Sequence, residues 1–113
     1  MHEFSIALSI VDIVTREAMD HHASAVSEVE LDIGVASGVV QEALVFALES
    51  AVKNTMLAST RFIIHEIPAV AACHACGKAF DSDGLWAVCP HCGEPTFDLV
   101  SGRELKVRAI RIE

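Results

Sequence analysis

Cys73-His74-Ala75-Cys76-Gly77 and Cys89-Pro90-His91-Cys92-Gly93 hold all four cysteines of the chain, with twelve residues between Cys76 and Cys89. Each C-x-x-C turn lets two sulfurs face one ion, and the glycine that follows accepts the backbone conformation that closes the turn. Two such knuckles supply the four ligands of a tetrahedral thiolate site, Cys73, Cys76, Cys89 and Cys92. Zinc suits a closed four-thiolate shell, and rubredoxin-like iron uses the same ligands. A redox dithiol or disulfide pair is the competing reading of the same spacing. Structural zinc alone names no function.

Working outward, the flanks of the knuckles read as a small α+β domain. Over residues 4–21, Phe4, Leu8, Val11, Val14 and Ala18 recur at helical spacing, and Ile6, Ile10 and Ile13 widen the apolar face. His21 and His22 then fall near the negative pole of the helix dipole. Residues 26–35 alternate instead: Val29, Leu31, Ile33 and Val35 on one face, Glu28, Glu30 and Asp32 on the other, the pattern of a half-buried strand. Gly34, Ser37 and Gly38 break it. Ser37 is the expected N-cap of a second helix over 39–53, with Val40, Leu44, Ala47, Leu48 and Ala51 as its buried stripe and Asn54 just past its end.

Residues 60–67 are β-branched and apolar up to Pro68, predicting a second strand with Phe62 and Ile64 toward the core. Residues 104–112 predict a third. Its alternation of Leu105, Val107 and Ala109 slips to Ile110 and Ile112, as a bulge or a change of neighbour would require. Lys106 and Arg108 share one face of that strand and would complement the acids of 28–32 across a strand pair. The knuckles fall between the second and third strands as an excursion of about thirty residues, too small for a self-sufficient core, so bound metal must hold it. Phe80, Trp86 and Phe97 are its expected apolar contacts.

Composition excludes several functions. The chain has 113 residues, one ordinary domain or one domain with a small metal-held insert, and a formal charge of −8. Residues 73–98 carry one base, Lys78, against four acids, so the basic face that nucleic acid requires is missing. Residues 1–50 set Arg16 alone against nine carboxylates, while Arg103, Lys106, Arg108 and Arg111 crowd the other end, which suggests that the two ends meet. No apolar run approaches the ~20 residues of a membrane span, and Met1-His2-Glu3 lacks the positive start of a secretory signal. The expectation is a cytoplasmic protein with reduced cysteines, not bound to membranes. There is no phosphate-binding glycine loop and no nucleophile elbow, so no catalytic reading competes.

The start of the chain offers a second metal site. The Met1 α-amine, the His2 backbone nitrogen and the His2 imidazole can form fused chelate rings on one ion, and the Glu3 amide nitrogen or side chain can add a donor. Such a nitrogen-rich planar set suits Ni(II) or Cu(II). Methionine aminopeptidases need a small second residue, so His2 should keep Met1 in place. Elsewhere, His74 and His91 read as exposed turn histidines or as modulators of the thiolate site. His65 reads as structural, and the adjacent His21 and His22 do not share a helix face.

Met1-His2-Glu3 opening a helix, the run Ile33-Gly34-Val35-Ala36-Ser37-Gly38-Val39 into Glu42-Ala43-Leu44-Val45-Phe46-Ala47, the paired knuckles, and Gly102-Arg103-Glu104-Leu105 through Ile112-Glu113 together resemble the HypA/HybF family of nickel metallochaperones, in family order across the chain. Gln41 stands where many relatives have proline, and Lys53-Asn54-Thr55 replaces a commoner glycine-threonine turn. The resemblance implies two helices on a three-stranded antiparallel sheet with an inserted zinc-ribbon-like domain. The nickel-binding α+β domain would span 1–69, completed by the strand 101–113, and the zinc domain 70–100. It further implies Ni(II) as cargo at Met1, His2 and Glu3, and structural Zn(II) on Cys73, Cys76, Cys89 and Cys92. The implied partners are a HypB-type maturation GTPase and the large subunit of [NiFe] hydrogenase, with urease maturation proteins served in some bacteria. Homodimerisation is left open. The competing function is a zinc-ribbon adaptor that docks partners without carrying nickel.

Overall fold

The computed structural model describes residues 2–82, 88–95 and 97–113. Trp86 lies outside the described residues. The order is α1 (Glu3–Asp20), β1 (Val26–Gly34), α2 (Gln41–Ala51), β2 (Arg61–Ile67), β3 (Val70–Cys73), β4 (Ala79–Asp81), β5 (Phe97–Ser101) and β6 (Leu105–Ile112). Two three-stranded sheets result, β2-β1-β6 and β4-β3-β5. The fold is α+β with a zinc-ribbon-like region, and all three main strands and both helices appear where periodicity places them.

The chain packs as two compact units, one formed by Met1–Leu31, Val39–Ile64 and Lys106–Glu113, the other by Asp32–Gly38 and His65–Leu105. In the first, α1 packs on α2. Ala7, Ile10, Val11, Val14 and Ala18 are the buried residues of α1, spaced three and four apart, and Leu44, Ala47 and Leu48 are those of α2. Val29, Leu31 and Leu57 are fully enclosed. The buried stripe of α1 is therefore rotated from the expected one: Phe4, Leu8 and Ile13 are about half exposed, and Val40 and Phe46 of the second helical run are more so. Ala7 is fully buried, while its bulky neighbours Phe4 and Leu8 turn outward.

α1 ends as its sequence does not announce. His22 takes φ 56°, its N–H donates to Met19 O at 3.0 Å, and Ala23 N–H donates to Ala18 O at 2.9 Å. These two bonds make a Schellman motif with a histidine in the left-handed position. Asn54, by contrast, is left-handed as expected, at φ 62°. Ser37 is not the N-cap of α2: the helix starts four residues later, with Val40 as its capping residue and no side-chain cap on its own element.

Within the larger sheet, β6 runs antiparallel to β1, since Ser24 N–H donates to Glu113 O and Gly34 N–H to Glu104 O. β2 runs the other way. Thr60 Oγ1 donates to Val26 O where both strands begin, and Val35 N–H donates to Ile67 O where both end, so β1 and β2 are parallel. α2 makes the crossover such a pair needs. The α+β class stands, but this sheet is mixed where the resemblance implied an antiparallel one, because alternation does not carry the sense of pairing. Asp32, assigned to the polar face, is 5% exposed, and Val35, assigned to the buried face, is 45% exposed: the pattern turns over as β1 reaches Gly34. In β6 the half-buried residues are Val107 and Ile110, three apart, which puts the slip between them.

The smaller sheet is antiparallel throughout. β3 pairs with β4 (Ala71↔Phe80) and with β5 (Ala71↔Leu99), with an irregularity between Val70 and Ala71. Its core is short: Ala71, Cys73, Phe80 and Cys89 are buried, with Phe97 and Leu99 packed against them. Phe80 and Phe97 meet edge to face, ring centroids 6.0 Å apart at 67°, a geometry worth about 1 kcal/mol beyond the area it covers. Two of the four buried residues are cysteines, so apolar packing and the thiol cluster are one structure here.

Candidate metal centre

The two knuckles are copies at an offset of sixteen positions. Cys73 N–H donates to Lys78 O at 3.0 Å and Gly77 N–H to Cys73 O at 3.0 Å; Cys89 N–H donates to Glu94 O at 3.0 Å and Gly93 N–H to Cys89 O at 2.8 Å. Gly77 and Gly93 take φ 74° and 80°, the left-handed geometry that closes each turn. The turns also aim amides at sulfur. Ala75 N–H and Cys76 N–H reach Cys73 Sγ at 3.3 and 3.5 Å, and His91 N–H reaches Cys89 Sγ at 3.4 Å.

All four sulfurs lie within 4.8 Å of one another. Cys73 Sγ is 3.5 Å from Cys92 Sγ, and Cys76 Sγ is 3.6 Å from Cys89 Sγ. A tetrahedral ion with metal–sulfur bonds of about 2.3 Å has sulfur–sulfur edges of about 3.8 Å, so the cluster has the size of such a shell. The cysteines are free thiols rather than disulfides. Cys73 and Cys89 are buried and Cys76 and Cys92 exposed, so each knuckle offers one inner and one outer ligand.

The protons of this cluster are unevenly held. The Cys73 thiol is drawn down to about 6, first by the bond from Cys76 N–H and then by that from Ala75 N–H, against the opposing effect of burial. Cys92 is pushed up to about 12: a bond from Glu94 N–H pulls it down, but Cys73, burial, Cys89 and Cys76 together outweigh that. One thiolate forms readily and its neighbours then resist a second charge. Bringing all four to the thiolate state needs a cation among them, which is what a structural dication supplies.

Of the histidines, His74 Nε2 lies 2.9 Å from Asp98 Oδ2, so this knuckle residue has a partner that its sequence neighbours do not reveal. His91 is exposed, and His65 sits half-buried in β2. His21 Nε2 meets Glu17 Oε1 at 3.1 Å, one helical turn back.

At the start of the chain, Met1 lies outside the described residues. His2 is exposed and is the capping residue of α1, its carbonyl accepting from Ile6 N–H at 3.2 Å. Glu3 is the first residue of the helix. Its carboxylate Oε2 accepts a hydrogen bond from Val40 N–H at 3.2 Å, and that bond is the main reason its pKa lies below the usual carboxylate range. Nothing in the sequence signals this contact, because the partner is a backbone amide 37 residues away.

Residues 1–112 match the family described as hydrogenase/urease nickel incorporation, metallochaperone, HypA. The hydrogenase maturation factor HypA of Parabacteroides distasonis is 43% identical over 113 residues, covering 100% of this chain and 98% of its own length. That of Chlorobium phaeobacteroides is 42% identical, with both chains covered entirely. The solution structure of the Ni metallochaperone HypA from Helicobacter pylori superimposes with a TM-score of 0.70 at 21% identity, over 99% of this chain and 97% of that one. A second HypA solution structure does so at 0.76, also at 21% identity, over 100% of this chain and 97% of that one. No helix among the described residues is long and apolar enough to cross a membrane. A tetrathiolate-sized cluster, an α+β unit and relatives matched end to end agree on one assignment: the chain belongs to the HypA family of nickel-incorporation metallochaperones that act in hydrogenase maturation, a family of maturation factors rather than of catalysts.

Proposed function

We propose that this chain is a cytoplasmic nickel carrier that binds Ni(II) at its N-terminus and hands it to the large subunit of [NiFe] hydrogenase, working with a HypB-type GTPase. Zn(II) on Cys73, Cys76, Cys89 and Cys92 is structural. The nickel donors are the Met1 α-amine, the His2 imidazole and backbone nitrogens of His2 and Glu3. In this reading, residues 1–69 and 101–113 make the nickel domain and 70–100 the zinc domain.

The observation that carries this reading is the place of His2: exposed, and directly ahead of an 18-residue helix. The first N–H groups of a helix have no carbonyl one turn back to bond to. Those of His2 and Glu3 are therefore free of the helix ladder, and their nitrogens can release a proton to solvent and bind a metal in its place without breaking the ladder. A nitrogen set of this kind favours a planar Ni(II) or Cu(II) site.

Titration calorimetry with Ni(II) tests it directly, on zinc-loaded protein. Wild type is expected to take about one nickel per chain, and His2→Ala or a residue placed before Met1 to abolish that binding while zinc content stays constant. Unchanged nickel affinity in both variants would leave the zinc-ribbon adaptor as the function.

A further inference from the structure

α2 begins without a cap of its own. Its capping residue is Val40, at φ −86° and ψ 110°, whose side chain has no acceptor to offer the first amides. The acceptor for Val40 N–H comes from the other helix: Glu3 Oε2, at 3.2 Å. Glu3 thereby belongs to two helix starts at once, with its backbone as the first residue of α1 and its carboxylate at the entry of α2. An anion is at home there, because the N-terminal end of a helix carries partial positive charge.

We propose that the Glu3 side chain is a positioning group rather than a nickel ligand: its carboxylate clamps the start of α1 to the start of α2 and so fixes the backbone nitrogens of His2 and Glu3 for metal. This rests on the nickel site proposed above and assigns one of its residues a divided role. Drawing the carboxylate onto nickel would strip Val40 N–H of its acceptor, and the third helical residue, whose side chain reaches back to this amide in a capping box, is Ala43 and has no acceptor to offer. A planar nitrogen set has no need of the oxygen. The clamp's contribution is preorganisation: an exposed chain start that is already held loses less freedom on binding.

Three variants separate the roles. Glu3→Gln keeps an oxygen acceptor for Val40 N–H, Glu3→Ala removes it, and Val40→Pro deletes the N–H at a backbone angle that proline tolerates while touching no proposed ligand. In nickel-free protein, Glu3→Ala should speed hydrogen exchange at the Val40 amide about tenfold. With nickel bound, all three variants should keep the visible d–d absorption of wild type. Affinity should stay near wild type in Glu3→Gln and fall about tenfold in Glu3→Ala and in Val40→Pro, and the double variant should fall no further than either alone. A displaced d–d band in both Glu3 variants would make the carboxylate a ligand and overturn the proposal. Unchanged Val40 exchange in Glu3→Ala, or wild-type affinity in a folded Val40→Pro, would also overturn it. Nickel binding that survives His2→Ala would instead defeat the nickel-site reading, and the exchange data, taken without nickel, would still show whether the contact holds.

Discussion

Replacing Gly34 by alanine should cost this protein a large part of its stability without touching a metal ligand. Gly34 ends β1, and a Cβ built there would sit 2.0 Å from Gly102 O, 2.1 Å from Gly102 C and 2.6 Å from Arg103 N, where ordinary contact begins at 3.4 Å. All three atoms are backbone, so no side chain can swing away. The segment at 102–104 must retreat by more than about 1 Å, well beyond what a packed interior absorbs without strain. It is also the segment that Ala36 N–H bonds at Gly102 O (2.7 Å) and Gly34 N–H bonds at Glu104 O (2.8 Å). Losing both bonds at about 1 kcal/mol each, with overpacking strain of about 1–3 kcal/mol, predicts about 3–5 kcal/mol. For a chain of this size that is roughly 12–20 °C in Tm. The assay is calorimetric unfolding at saturating zinc, since metal raises apparent stability by mass action and must be equal in both proteins. Gly77→Ala is the control: nothing lies within 4 Å of its added Cβ, and only the left-handed φ of 74° is penalised, about 1–2 kcal/mol. A Gly34→Ala protein melting within about 3 °C of wild type would refute the close approach of these strands.

Other outcomes follow from the same structure. Phe80→Ala should destabilise the β4-β3-β5 sheet by about 3 kcal/mol, seen as faster amide exchange at Ala71 and Ala72 with little change at Val29 and Leu31. In zinc-free protein, thiolate absorbance followed against pH should show one thiolate, Cys73, forming near 6, while Cys92, at about 12, stays a thiol; no thiolate forming below the ordinary 9.0 would contradict the amide-to-sulfur bonds. For the zinc-free fold the Cys73 shift is stabilising in full above its ordinary value of 9.0 and fades as pH falls toward 6. The Cys92 shift acts in the opposite window, present below 9.0 and lost as pH rises toward 12. His74→Ala removes an exposed pair with Asp98 and should change Tm by less than about 4 °C with zinc retained.

How much of this was legible beforehand follows from what each feature depends on. The knuckles were fully readable, because a C-x-x-C-G turn is local chemistry and its repetition sets the ligand count. Helix and strand placement was readable for the same reason, since the periodicities of α1 and β1 are carried by neighbouring residues. Facts about pairs of distant segments escaped. The parallel sense of β1 and β2 depends on a crossover, the outward turn of Phe4 and Leu8 on which face of α1 the rest of the chain covers, and the burial of Asp32 on where β1 meets its neighbours. Ser37 looked like a cap because it precedes an apolar run. The acceptor at the start of α2 instead comes from Glu3, at a sequence distance no capping pattern can span.

The two donor sets differ in the property that a carrier requires. The four knuckle sulfurs are placed to surround an ion, each knuckle is closed by its own backbone bonds, and two of the four cysteines are buried in the only core their sheet has among the described residues. An ion held there could leave only by giving up the sulfurs that build this core, so release is opposed by the fold itself. The proposed nickel donors have no such coupling. His2 lies in solvent ahead of α1, and α1 is held by its packing on α2 whether or not a metal is bound. Nickel can then be taken from it by an incoming ligand at no structural cost beyond the site itself. Proton competition acts in the same direction, because amine and imidazole must be unprotonated to bind, so nickel should loosen as pH falls through the imidazole range near 6.5. Under the proposed function, the knuckle donors are thus built to hold an ion and the donors at the chain start to surrender one.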